Sequence, residues 1–179
     1  MHQRNSSQHK LMLLGDSNLN GIRPREMAQK IRSRVFITKQ AFSGATASHL
    51  NHYSDISLQE KPDSIIIHGG TNDLYGRNSN QNSADEVACQ LIEISVKARS
   101  SGVRNIFISS ILPINEQQAN AKSMDINSLL KTYCEAYNFV LINNSNLTNE
   151  DLKENDPVHL SLDGREEMVK NFIYHFNQF

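Results

Sequence analysis

Five short apolar runs punctuate the chain, at residues 11–14, 35–38, 64–68, 105–111 and 139–143. They are dense in Ile, Val, Leu or Phe and do not alternate with polar residues. Such runs read as strands buried on both faces, the pattern of a parallel sheet. Between them, apolar residues recur at helical spacing. The strongest case covers residues 83–101, where Ser83-Ala84-Asp85-Glu86 makes a capping box. Val87, Leu91, Ile94 and Ala98 then form one stripe, and Gly102 suits the position after the helix. A second helix is expected over 121–138, with Met124, Leu129, Tyr133 and Tyr137 near helical spacing. A third is expected over 162–176, capped by Ser161 and burying Met168, Val169, Phe172, Ile173 and Phe176. Pro24 suits the first turn of an earlier helix. Strand alternating with helix predicts an α/β protein: a three-layer α/β/α fold around a five-stranded parallel sheet. Residues 1–9 read as a flexible tail and 10–179 as a single domain.

Composition refines this picture mainly by exclusion. The 179 residues carry a formal net charge of -1, so bulk charge calls for no nucleic-acid or membrane partner. The local exception is Arg23, Arg25, Lys30, Arg32 and Arg34, opposed only by Glu26 and read as a solvated helix face. The polar start and the shortness of the first apolar run predict no secretory signal or membrane span, hence a cytoplasmic protein. Cys89 and Cys134 fall within expected helices and read as buried thiols. Neither belongs to a CxxC pair, so no zinc or redox site is expected. His49 and His52 lack a third ligand nearby and read as helix surface. No metal or cofactor is called for.

The chemistry gathers at the strand ends. After the first strand comes Gly15-Asp16-Ser17-Asn18; after the second, Phe42-Ser43-Gly44-Ala45-Thr46. After the third comes Gly69-Gly70-Thr71-Asn72-Asp73, and past the fifth comes Asp156-Pro157-Val158-His159. Parallel strands bring these segments to one edge of the sheet, where open α/β folds bind their ligands. Hydrolysis by an activated serine needs such parts. Ser17 is the candidate nucleophile, neutral His159 its general base, and Asp156 the carboxylate that orients the imidazole. The backbone N–H groups of Ser17 and Gly44 and the side-chain amide of Asn72 are candidate oxyanion donors. Asn18, His68 and Asp73 are candidates for contact with substrate, although turn and capping roles explain them too. The loop 112–120 offers no catalytic group but could wall an acyl pocket. Phosphate or flavin binding by the same topology is disfavoured, because the first loop lacks clustered glycines.

These blocks resemble the SGNH hydrolase (GDSL-like esterase/lipase) superfamily, named for Ser, Gly, Asn and His in four blocks. The matching residues are Ser17 in Gly-Asp-Ser, Gly44, Asn72 in Gly-Thr-Asn-Asp, and His159 in Asp-Pro-Val-His. The resemblance implies a flavodoxin-like fold, a Ser17–Asp156–His159 triad and an oxyanion hole from Ser17, Gly44 and Asn72. It also implies hydrolysis of carboxylic esters, thioesters, acetylated sugars or acetylated phospholipids without a metal. The chain departs from the family in lacking the leucine of the GDSL name and in carrying Gly69 where a bulkier residue is common. A narrower resemblance runs through Gly-Asp-Ser-Asn, Gly-Ile-Arg-Pro-Arg and Gly-Gly-Thr-Asn-Asp-Leu. Those runs are similar to esterase domains in the first open reading frame of certain animal non-LTR retrotransposons. It implies a longer parent chain whose basic patch faces nucleic acid or an acidic membrane surface. The expected activity is a serine esterase on short acyl, mainly acetyl, esters of a small molecule, lipid or sugar. The alternative is a binding module with little turnover.

Overall fold

A computed structural model describes residues 8–76 and 81–179. Five parallel strands form one sheet in the order β2-β1-β3-β4-β5. They are β1 (His9–Gly15), β2 (Val35–Ala41), β3 (Ser64–His68), β4 (Asn105–Ser109) and β5 (Val140–Ile142). This is the flavodoxin-like doubly wound order, as expected. Its switch point, where successive crossovers leave on opposite sides, falls between β1 and β3. All five strands fall on the apolar runs. Part of the expected tail, residues 1–7, lies outside the described residues, whereas His9 already opens β1 and pairs with Val35.

Alternation along each strand feeds two cores. Met12, Leu14, Ile65, Ile67, Ile106 and Ile108 pack on one face. There they meet α2 (Ala47–Ser57), α4 (Ala84–Ser100) and α5 (Gln117–Tyr137). Leu11, Leu13, Ile66 and Phe107 pack on the other, against α1 (Pro24–Lys30) and α6 (Leu162–Phe176). A short helix α3 (Thr71–Leu74) follows β3. Burial of these large side chains at roughly 25 cal/mol per Å² is the main force holding helices to sheet.

The helix expectations hold to different degrees. Ser83 accepts from the Glu86 N–H and Glu86 returns the bond, the expected capping box. Val87, Leu91, Ile94 and Ala98 are buried. Ser161 caps α6, and Met168, Phe172 and Phe176 are buried, with Val169 and Ile173 packed at the margin. The α5 stripe needs correction. Met124 and Tyr137 are exposed, and the buried face is Ala119, Ser123, Ile126, Leu130 and Cys134. That face is small and partly polar, so apolar spacing points to the wrong side. The helix also starts four residues before the expected 121, because the Glu116 carboxylate accepts from the Gln118 and Ala119 N–H groups. Cys134 is buried as expected, but Cys89 is only half-buried, with its thiol near the Asp85 carboxylate.

α2 has no clear apolar stripe because it buries Asn51, Ser54 and Ser57 alongside Leu50. Those polar groups bond inward, with Asn51 Nδ2 donating to Gln90 and Glu93 at 2.7 Å each. His49 closes a capping box with Thr46 at the start of this helix, and His52 is exposed. The basic residues between 23 and 34 are all exposed, and Arg23 pairs with Glu26 at 2.8 Å. Among the described residues no helix is long and apolar enough to cross a membrane.

Candidate active site

The end of β1 fixes the first functional group. Gly15 lies so close to β3 that a Cβ there would fall 2.2 Å from the His68 carbonyl oxygen. Only glycine allows that approach, and the Asp16 N–H then donates to the same carbonyl at 3.1 Å. Asp16 turns its carboxylate onto the Asn18 N–H at 3.0 Å, capping a 3-10 turn over Ser17–Leu19. The chain thus leaves the sheet in a sharp turn with Ser17 at its outer corner, at the switch point.

A line of hydrogen bonds runs out from Ser17. Its Oγ lies 2.9 Å from His159 Nε2. His159 Nδ1 lies 2.8 Å from Asp156 Oδ2 and 3.1 Å from Oδ1. With an N–H at Nδ1 donating to the carboxylate, Nε2 is free to accept the Ser17 hydroxyl proton; the network dictates that tautomer. Asp156 Oδ1 also accepts from the Val158 and His159 backbone N–H groups at 3.1 and 3.0 Å. Burial pushes the Asp156 carboxyl up, but those two N–H groups and the imidazole outweigh it and hold it below its usual value. The carboxylate is therefore an anion ready to stabilise an imidazolium.

The residues expected to donate to an oxyanion line the same cleft. Gly44 is exposed, in a left-handed backbone conformation (φ +76°). Among the described residues neither the Ser17 nor the Gly44 backbone N–H donates to another protein group. Asn72 uses one N–H of its amide on the Ala45 carbonyl at 3.0 Å, leaving the second available. Ser17, Gly44, Asn72, Asp156 and His159 together line a cleft of about 530 Å³, within the usual range for a small-molecule site. A larger groove of about 830 Å³ runs beside α5 and β5, but it contains neither Ser17 nor His159. The residues expected to carry the chemistry line the smaller space. The 112–120 loop does not line this smaller cleft; instead its Asn115 N–H donates to the Pro157 carbonyl and braces the Asp156 segment.

Of the residues expected to touch substrate, two are placed elsewhere. His68 is fully buried, with Nδ1 2.9 Å from the Ser109 hydroxyl. Burial pushes its pKa down. Asp73 is also fully buried, accepting from the Ala47 N–H at 2.8 Å and the Asn82 amide at 3.1 Å. Burial pushes its carboxyl up. Asp73 thereby clamps the start of α2, and with it the Gly44 loop, to the Asn72 segment. Asn18 touches the cleft but spends its polar atoms on the other loop. Its amide donates to the Val158 carbonyl at 3.3 Å and accepts from the Leu160 N–H at 3.4 Å, bridging the Ser17 turn to the His159 loop. Two residues of the cleft that sequence reasoning missed are Lys153 and Arg165. Their charge on a loop and on a helix carried no motif. Among the described residues no group of side chains could hold a metal ion.

Comparisons with known proteins agree with this architecture. The model of the GDSL-like lipase/acylhydrolase family matches residues 13–177, and the chain belongs to that family. A GDSL-like lipase from Bacteroides thetaiotaomicron superposes with a TM-score of 0.82 at 17% identity, covering 99% of this chain and 92% of that one. The carbohydrate acetylesterase Est24 from Sinorhizobium meliloti gives 0.81 at 15% identity, covering 96% and 99%. The acetylxylan esterase Axe2 from Geobacillus stearothermophilus gives 0.77 at 19% identity, covering 94% of each chain. No curated protein matches the chain in sequence.

Proposed function

We propose that this member of the GDSL-like lipase/acylhydrolase family is a serine esterase that cleaves short acyl, chiefly acetyl, esters through Ser17, His159 and Asp156. The observation that carries the reading is the continuous line Ser17 Oγ–His159 Nε2 and His159 Nδ1–Asp156, at 2.9 and 2.8 Å, on the wall of an open cleft. Ser17 attacks the acyl carbonyl while His159 Nε2 takes its proton. The C=O π pair moves onto oxygen, and the oxyanion accepts from the Ser17 and Gly44 N–H groups and the Asn72 amide. Collapse expels the alkoxide, which receives the proton from His159. Water, deprotonated by His159, then releases the acid from the acyl-enzyme and restores Ser17. The small cleft favours short acyl groups. The two acetylesterases among the structural neighbours support an acetylated sugar as the runner-up for the alcohol half. The retrotransposon-like runs keep open a longer parent protein working at a nucleic-acid or membrane surface.

A fluorophosphonate probe and p-nitrophenyl esters of increasing chain length test the reading. Ser17 is expected to be labelled and Ser17→Ala is not. Turnover of the acetate is expected to exceed that of the octanoate. An unlabelled wild type, or labelling that persists in Ser17→Ala, ends the serine mechanism. Preference for the octanoate ends the short-acyl part.

A further inference from the structure

The cleft carries more positive charge than ester hydrolysis needs. Arg165, near the N-terminus of α6, and Lys153, on the loop before Asp156, both line it. Lys39 lies near Arg165, donating to the Asn20 and Ile22 carbonyls at 2.7 and 2.8 Å. Burial and the nearby Arg165 push the Lys39 ammonium below its ordinary pKa. The one carboxylate on the cleft wall, Asp156, is already engaged by His159. Among the described residues no ion pair joins any of the three cations to an acid, and the Arg165 guanidinium has no hydrogen-bond partner.

Arg165 is nonetheless held in place. Its guanidinium fills the space left by the missing side chain of Gly21; a Cβ there would lie 2.1 Å from Arg165 Cζ. The arrangement is unfavourable as pure structure. A cation near a helix N-terminus faces the positive end of the dipole, and an arginine with five donors ordinarily finds a carboxylate or carbonyl. A guanidinium seated without a partner, beside another cation and on the wall of a reaction cleft, fits an oxyanion whose two oxygens accept its paired N–H groups.

Its position also selects which half of the ester carries that anion. Both cations are mounted on segments that hold His159. The Lys153 N–H donates to the His159 carbonyl at 2.9 Å, and the Arg165 N–H donates to the Ser161 carbonyl two residues beyond His159. His159 is the group that hands a proton to the departing alcohol, so the alcohol half lies on this side. The cleft is lined largely by small or polar residues, among them Asn20, Gly21 and Ser43, with Leu160 the one aliphatic side chain among the described residues of the lining. Resting on the esterase reading above, we infer that Arg165, assisted by Lys153, binds a phosphate or carboxylate on the alcohol half of a water-soluble ester.

The test pairs substrates that differ only in that charge. 1-Acetylglycerol 3-phosphate is compared with 1-acetylglycerol, and 4-acetoxybenzoate with its methyl ester, as ratios of kcat/KM. The anionic partner is expected to be favoured about tenfold, the scale of a charge-assisted hydrogen bond. Arg165→Met is expected to bring the ratio towards one, and Arg165→Lys to retain part of it. Gly21→Ala keeps the charge but evicts the guanidinium from its seat, so it should fall between. A wild-type ratio near one, or a ratio that Arg165→Met leaves unchanged, overturns the assignment. Binding is read separately by NMR titration of Ser17→Ala protein with glycerol 3-phosphate against glycerol. Arg165→Met is expected to weaken phosphate binding about tenfold. No preference for the phosphate overturns the subsite whatever the turnover. Failure of the esterase reading shows instead in p-nitrophenyl acetate and probe labelling, where the alcohol half carries no anion.

Discussion

Two aspartate–histidine pairs stand near the same serine, and they are opposite in character. Asp156 and His159 sit at the cleft, their side chains 28% and 36% exposed, in contact at 2.8 Å. Asp16 and His68 are sealed in the core, both side chains 0% exposed, with His68 Nε2 3.9 Å from Asp16 Oδ1. Asp156 Oδ1 alone receives two backbone N–H groups and the imidazole. Asp16 receives one, from Asn18, and its Oδ2 has no partner among the described residues, nor has His68 Nε2. Donors make the difference. Burial raises Asp16 against the weaker pulls of His68 and Asn18, whereas at Asp156 the donors overcome burial. Burial also lowers His68, so both members of the inner pair are pushed towards their neutral forms. A histidine beside an aspartate does not make a catalytic dyad; aligned donors and access to a substrate do.

The sharpest way to break this comparison is to neutralise each carboxylate in turn. Asp156→Asn is expected to lower kcat by about 10⁴, because the amide no longer fixes the imidazole tautomer or stabilises its cation. Asp16→Asn is expected to stay within about tenfold of wild type, because its amide oxygen can still accept from the Asn18 N–H. Both are read as p-nitrophenyl acetate turnover on protein shown to be folded by circular dichroism. Comparable losses in the two variants would mean that the inner pair shares in catalysis.

A smaller loss tests what holds the outer pair against Ser17. Asn18→Ala removes both bonds to the His159 loop and leaves two backbone groups to find water. A decrease in kcat of about 10- to 100-fold is expected from misplacement of the base, with a parallel slowing of fluorophosphonate labelling, on protein shown to be folded by circular dichroism. Full activity in a folded Asn18→Ala variant would show that Asn115 and the loop itself suffice to position His159.

Much of this contrast was legible in the residues. The five strands, α4 and α6 announce themselves through dense apolar runs and regular stripes with serine caps, since burial and local pattern agree there. The meeting of Ser17, Gly44, Asn72, Asp156 and His159 follows from parallel strand order. Of α2 only the surface at His49 and His52 is legible, because Asn51, Ser54 and Ser57 occupy its buried face and bond among themselves and to neighbours. The buried side of α5 was misread for a related reason: Ala119, Ser123 and Cys134 pack into the core while larger Met124 and Tyr137 do not. His68 and Asp73 sit in the right blocks, yet only tertiary burial reveals that they face inward. Arg165 and Lys153 belong to no motif, and their place in the cleft depends on how α6 docks beside Gly21.

The gentlest test of the comparison is stability against pH, where the two carboxylates should pull in opposite directions. Asp16 has a folded-state pKa above 3.8, so the native state holds that proton more tightly than the unfolded chain. Stability contributed by the protonated form is full below 3.8 and declines as pH rises through the folded value. Asp156 has a folded-state pKa below 3.8, so its contribution is present above 3.8 and lost as pH falls through the folded value. Asp16→Asn should therefore gain on wild type as pH rises, by about 1 kcal/mol at pH 7, the scale of a buried group lacking one partner. Asp156→Asn should lose ground as pH rises from below the folded value to above 3.8, by less, because that carboxylate is partly exposed and screened by solvent. His68, whose lowered pKa weakens the fold below pH 6.5, titrates alike in wild type and Asp156→Asn; in Asp16→Asn it loses the upward pull of the Asp16 charge, which adds to that variant's gain as pH rises. Urea midpoints at about pH 2.5, 4 and 7 read the two differences, the lower interval for Asp156 and the upper for Asp16. Slopes of the same sign would show that Asp16 is held as an anion and that the inner pair is charged after all.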